Sequence, residues 1–116
     1  MAGSELDRPL YVAKADLFKA LAHPARIRIL ELLVERDRPV SELLAAIDVE
    51  ASSLSQHLAV LKRTGLVDSR RTGNSVTYEL ADSSIATFLA AARGVLTSTL
   101  GRVRQTLEDL EGDASS

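Results

Sequence analysis

The sequence predicts a mainly α domain with a small β-hairpin wing (α+β), and three observations carry that prediction. Apolar residues recur at helical spacing through five stretches of the chain. The period shortens to a strand-like one only at residues 66–67 and 76–80, with Arg71-Thr72-Gly73-Asn74-Ser75 supplying turn chemistry between them. At 116 residues, with 46% hydrophobic and 26% charged side chains, the chain suits one globular domain and leaves no room for two cores.

The elements follow in order. Residues 1–9 are polar and read as a flexible N-terminal tail. Leu10, Lys14, Leu17, Phe18 and Leu21 show helical spacing after Pro9, which suits a first turn. Pro24 disfavours a helical His23 and opens a second helix, with Ile27, Leu30, Leu33 and Val34 on one face and a stop near residues 36–39. Ser41 is the expected N-cap of a short third helix reaching about residue 47. A fourth helix runs over residues 51–64 and stops at Gly65, where a left-handed residue is expected. After the hairpin, Asp82 or Ser83 caps a fifth helix to residue 110, followed by a flexible acidic tail over 111–116. The domain therefore spans residues 10–110.

Aromatic residues are only 3% and tryptophan is absent, so the core is aliphatic. With no cysteine, disulfides, thiolate metal sites and thiol redox sensing are excluded. The net charge of −2 hides a local imbalance: residues 51–78 carry Lys62, Arg63, Arg70 and Arg71 against Asp68 alone, and the acidic groups collect from Glu108 onward. No signal peptide or apolar run of membrane-spanning length is readable, which predicts a cytoplasmic protein without a membrane partner.

Two short helices followed directly by a hairpin is the order of a winged helix-turn-helix. Rotating the fourth helix by ~100° per residue puts Leu54, Leu58 and Leu61 in one stripe. Ser52, Gln56, Ala59 and Arg63 fall opposite, flanked by Ser53, Ser55 and Lys62. Small residues permit close approach to a major groove, and Gln bonds adenine bidentately. Ser52, Ser53, Ser55 and Gln56 are thus candidates for base readout. Lys62, Arg63, Arg70, Arg71, Asn74 and Ser75 are candidates for the DNA backbone or minor groove. Ser41, at a helix N-terminus, is a candidate phosphate holder. His57 lies at the border of the apolar stripe, where wedging between helices competes with a phosphate contact. Arg70 and Arg71 have a second reading as protection of a sheet edge, and Arg26 and Arg28 as partners of Glu31 or Asp37.

The stretch Phe18-Lys-Ala-Leu-Ala-His-Pro-Ala-Arg-Ile-Arg-Ile-Leu-Glu-Leu-Leu33 resembles the second-helix signature of the ArsR/SmtB family of bacterial transcriptional regulators. Ser52-Ser-Leu-Ser-Gln-His-Leu-Ala-Val-Leu-Lys-Arg-Thr-Gly-Leu-Val67 resembles its recognition helix and the turn into its wing. Arg71-Thr-Gly-Asn-Ser-Val-Thr-Tyr-Glu-Leu80 is similar to its wing and returning strand. The resemblance implies a homodimer, joined through the first and last helices, that binds a palindromic operator on double-stranded DNA and represses transcription. A last helix of ~27 residues, ~40 Å long, fits that implication. So do its small residues Ala86, Ala90, Ala91 and Ala92. The expected interface comprises Leu10, Leu17, Ile85, Leu89, Ala92, Leu96, Leu100, Val103 and Leu107.

The chain departs from the family's metal sensors. Its third helix reads Ser41-Glu-Leu-Leu-Ala-Ala-Ile-Asp48, with no thiolate, and no histidine follows His57 to join Asp82, Glu108, Asp109 or Glu111. No metal site, cofactor or catalytic constellation is expected, so the chain reads as a regulator rather than an enzyme. Two rivals stay open: a winged-helix protein-interaction module without DNA binding, and the same repressor with a small-molecule effector at the dimer interface.

Overall fold

The structure, a computed structural model, describes residues 8–115. Residues 1–7 of the expected N-terminal tail lie outside the described residues, while Arg8 forms an ion pair with Asp16. The elements are α1 (Leu10–Leu21), α2 (Pro24–Glu35), β1 (Arg38–Pro39), α3 (Val40–Ala46), α4 (Ala51–Arg63), β2 (Val67–Thr72), β3 (Ser75–Leu80) and α5 (Ser84–Ser115). Of the described residues, 8–83 form one compact unit and α5 a second.

Within the first unit the core is aliphatic. Ile29 and Leu30 of α2, Leu43 of α3, Leu54 and Leu61 of α4 and Val67 of β2 are its largest fully buried side chains. Pro24 opens α2 as expected, and the His23 Nδ1 atom accepts the Ala25 N–H at 3.2 Å, satisfying one of the donors that a helix start leaves free. The end of α2 is closed from outside. Arg38 folds back, donating its Nε–H to the Leu32 carbonyl at 3.2 Å and reaching Glu35 at 2.8 Å.

That fold-back accompanies an element which periodicity did not predict. The expected two-stranded hairpin is a three-stranded antiparallel sheet in the order β1-β3-β2, with Arg38 opposite Tyr78 and Pro39 opposite Thr77. A two-residue strand has no alternation to read, and Pro39 is tolerated because β1 is an edge. The start of α3 shifts with it. Pro39 occupies the N-cap with φ −70° and ψ 155°, so Ser41 sits inside α3 and does not cap it.

Gly65 closes α4 at φ +80°, and Leu66 N–H returns to the Leu61 carbonyl at 2.9 Å. Nothing lies within 4 Å of a Cβ built on Gly65, so backbone strain alone penalises a side chain there. Gly65→Ala is expected to cost about 1 kcal/mol, read as a lower urea midpoint with an unchanged slope. Strand β2 runs on through Arg70 and Arg71 to Thr72, which pairs with Ser75, leaving Gly73 and Asn74 as a two-residue loop. Gly73 has φ +63°, and among the described residues only glycines have positive φ, the pattern of a type II′ hairpin turn.

In the second unit α5 continues past residue 110 to Ser115. Neither Glu111 nor Ala114 breaks a helix, and Gly112 only weakens one. Ile85 near its start is buried, whereas Leu96, Leu100, Val103, Leu107 and Leu110 are all more than half exposed.

Candidate nucleic-acid interface

Helix α4 divides as its residue spacing predicts. Leu54, Leu58 and Leu61 are buried, while Ser52, Ser55, Gln56, Ala59, Lys62 and Arg63 are exposed. Ser53 and His57 are half-buried on the flanks. No acidic residue stands in the first turn, and both Lys62 and Arg63 stand in the last, where they complement the helix dipole. Ser41 is exposed near the start of α3.

The basic residues fall into two groups. Lys62 donates to Ser69 Oγ at 2.7 Å, tying the end of α4 to β2. Arg70 is held by two carboxylates, Asp37 at 3.2 Å and Glu79 at 3.0 Å. Arg63 and Arg71 are exposed and form no ion pair among the described residues.

The sheet register explains the split. Side chains alternate along a strand, so Arg70 shares a face with Asp68, and Arg71 shares the other with Val67 and Ser69. Arg70 lies opposite Thr77, which makes Glu79 its diagonal neighbour, and the β1 pairing brings Asp37 alongside. Arg71 is on the side where Lys62 reaches Ser69. Asn74 and Ser75, at the wing tip, are exposed. Arg28 pairs with Glu31 at 3.4 Å, one of the alternatives its position allowed.

Sequence reasoning missed the tie behind the helix. Arg26 donates its Nε–H to His57 Nδ1 at 3.2 Å, and the His23 and His57 ring centroids are 4.2 Å apart. Burial, reinforced by the charges of His23 and Arg26, holds the His57 imidazole below its ordinary value of 6.5. The two partners are 31 residues apart in the chain, a separation that no local period reports. Among the described residues no group of three or more His, Asp or Glu side chains converges as a metal site would require, and no helix is long and apolar enough to cross a membrane.

A buried leucine stripe thus backs a polar helix face without carboxylates, next to a hairpin that carries an exposed arginine. The family model described as "Bacterial regulatory protein, arsR family" matches residues 23–69. The chain is 55% identical to the uncharacterized HTH-type transcriptional regulator Rv0081 of Mycobacterium tuberculosis over 109 residues, 93% of this chain and 96% of the relative. It is 43% identical over 79 residues to the HTH-type transcriptional repressor SmtB of the same species, covering 68% of this chain and 58% of that one. The crystal structure of Rv0081 superposes with a TM-score of 0.78 at 57% identity, covering 83% of this chain and 97% of that chain. The solution structure of a homodimeric winged helix-turn-helix DNA-binding domain from Mycobacterium bovis gives a TM-score of 0.75 at 33% identity, covering 88% and 95%. The fold is thus a winged helix-turn-helix, and the chain belongs to the arsR family of bacterial regulatory proteins.

Proposed function

We propose that this regulator binds an inverted-repeat operator as a homodimer and represses the genes beside it, with α4 in the major groove and the β2–β3 wing on the flanking backbone. The observation that carries the reading is the outward face of α4. Ser52, Ser55 and Gln56 are exposed and make no side-chain hydrogen bond among the described residues, and Arg63 at the helix end and Arg71 on the wing are free of carboxylates. Polar groups with open valences beside unpaired guanidinium groups suit base edges and phosphates together. Ser53 and Asn74 border that surface, and Ser75 and Ser41 extend it. His57 contributes to it from its flank. Arg70 joins only by exchanging Asp37 and Glu79 for phosphate.

Dimerisation is supported by two apolar surfaces. On α1, Leu10, Tyr11 and Phe18 are exposed, with Leu17 half-buried. On α5, Leu96, Leu100, Val103, Leu107 and Leu110 are spaced alternately by four and three residues, the seam of a coiled coil. Leu89 and Ala92 continue that side toward buried Ile85. Two copies related by a twofold axis would present two α4 helices to successive major grooves ~34 Å apart. Repression is supported by the name of the SmtB relative.

The test is selection of duplexes from a random pool by the purified chain, with affinity measured across salt concentrations. The expected product is an inverted repeat with half-sites about 10 base pairs apart. Recovery of no sequence, or binding indifferent to salt, overturns the reading in favour of a protein-interaction module. Gln56→Ala is expected to lower the ratio of specific to nonspecific affinity by about 1–3 kcal/mol. Arg71→Ala is expected to weaken all duplexes alike and reduce the salt slope by about 1, whereas Arg70→Ala is expected to change the salt slope less, because Arg70 is held by Asp37 and Glu79 rather than turned to phosphate.

A further inference from the structure

We propose that Arg26 and His23 are positioning residues for the recognition helix, acting through the uncharged imidazole of His57, so that duplex affinity falls when His57 takes up a proton. This rests on the DNA-binding reading above.

Three helices meet at Arg26. It sits in the first turn of α2, donates from Nη1 to the Ala20 carbonyl at the end of α1 at 3.3 Å, and donates from Nε to His57 Nδ1 in α4 at 3.2 Å. His23 caps α2 through its own Nδ1 and sets its ring against that of His57, tilted by 50°. Helix α4 packs on α2 and on β2. On the β2 side its polar tie is Lys62 to Ser69; on the α2 side, among the described residues, it is Arg26 to His57. His57 follows Gln56 directly, and successive helical residues project ~100° apart. The atom that anchors His57 therefore sets the direction in which Gln56 points.

An acceptor nitrogen has to be unprotonated, so the Arg26 bond defines His57 as the neutral form with its proton on Nε2. A proton at Nδ1 replaces acceptance with two opposed N–H groups and puts a cation against Arg26. The charged or titratable groups acting on His57 are His23 and Arg26, and neither β2 nor α1 adds another. The folded chain holds this imidazole below its ordinary value of 6.5, so the unfolded chain binds the proton more readily. The stability contributed by the neutral form is complete above 6.5 and is lost as pH falls below it. The sign for DNA is distinctive: added positive charge by itself strengthens phosphate binding, whereas loss of the Arg26 tie weakens it.

The experiment measures affinity of the full chain for the duplex recovered by selection, between about pH 8 and pH 5. Wild type is compared with His57→Asn, whose amide Oδ1 takes the place of Nδ1 and accepts from Arg26 at every pH. Thermal unfolding and the imidazole nitrogen resonances are recorded alongside. Wild type is expected to lose roughly fivefold or more in affinity on acidification, while His57→Asn stays level or tightens. At neutral pH the His57 Nδ1 resonance is expected to be that of an unprotonated nitrogen. A wild-type affinity that is flat or rises, a His57→Asn variant that weakens in parallel, or a proton on Nδ1 overturns the inference while leaving DNA binding intact. Failure to select any duplex overturns the DNA-binding reading itself.

Discussion

Replacing both Leu100 and Leu107 with glutamate is expected to leave a folded monomer that binds the selected operator about a hundredfold more weakly, or worse. In the single chain these side chains are 57% and 55% exposed, so the substitutions remove little internal packing, and glutamate is a good helix former. In the proposed dimer a second copy brings them into an apolar seam, where four carboxylates would have to be desolvated together. The operator affinity of a twofold reader depends on that seam. Once one recognition helix is seated, linkage to its partner makes the second contact effectively intramolecular. Sedimentation should show the mass halve and circular dichroism should keep the helical signal, while half-site binding, weak and salt-dependent, persists. A variant that stays dimeric would remove the α5 seam from the proposed assembly.

The same exposure values show which parts of the molecule could be read in advance. Leu54, Leu58 and Leu61 are adjacent turns of one helix, and their burial follows from a period of 3.6 residues. His23 as a cap, Gly65 as a stop and Gly73 in the turn are local events too, each decided by a few neighbouring residues. The features that escaped depend on distant partners. Strand β1 exists because residues 38–39 meet 77–78 across the sheet. Ser41 lost its expected cap position to Pro39, which that pairing holds extended. Arg70 looked equivalent to Arg71 because both are basic and adjacent, yet strand alternation turns them to opposite faces and Asp37, 33 residues away, neutralises one.

Candidate contacts on α4 and the wing were therefore legible by residue type, and their availability was not. Lys62 ties α4 to β2 through the neutral Ser69 hydroxyl and Arg70 is held by Asp37 and Glu79, whereas Arg63 and Arg71 form no ion pair among the described residues. A modest basic surface gains from this division. In the proposed complex the braced pair holds the hairpin near the helix, so that Arg63 and Arg71 would meet phosphates without first ordering the wing.

Leu61→Ala is expected to be the most damaging single truncation on α4, costing about 2–5 kcal/mol. Its side chain is fully buried, its carbonyl accepts the Leu66 N–H that turns the chain past Gly65, and α4 packs against both α2 and β2. Removing three heavy atoms there leaves a cavity between elements that α3 and the strands already constrain, so collapse cannot recover the lost contacts. Against a total stability of about 5–15 kcal/mol for a domain of ordinary size, such a loss should lower the midpoint of thermal unfolding by roughly 10 °C or more. Ser55→Ala, on the exposed flank of the same helix, should change the midpoint hardly at all yet weaken operator binding. The two variants separate the two sides of the helix: the leucine stripe holds it in place, and the proposed reading surface lies outside that stripe. If Ser55→Ala destabilised the fold as much as Leu61→Ala, the outward face would be packed against the protein and unavailable to DNA.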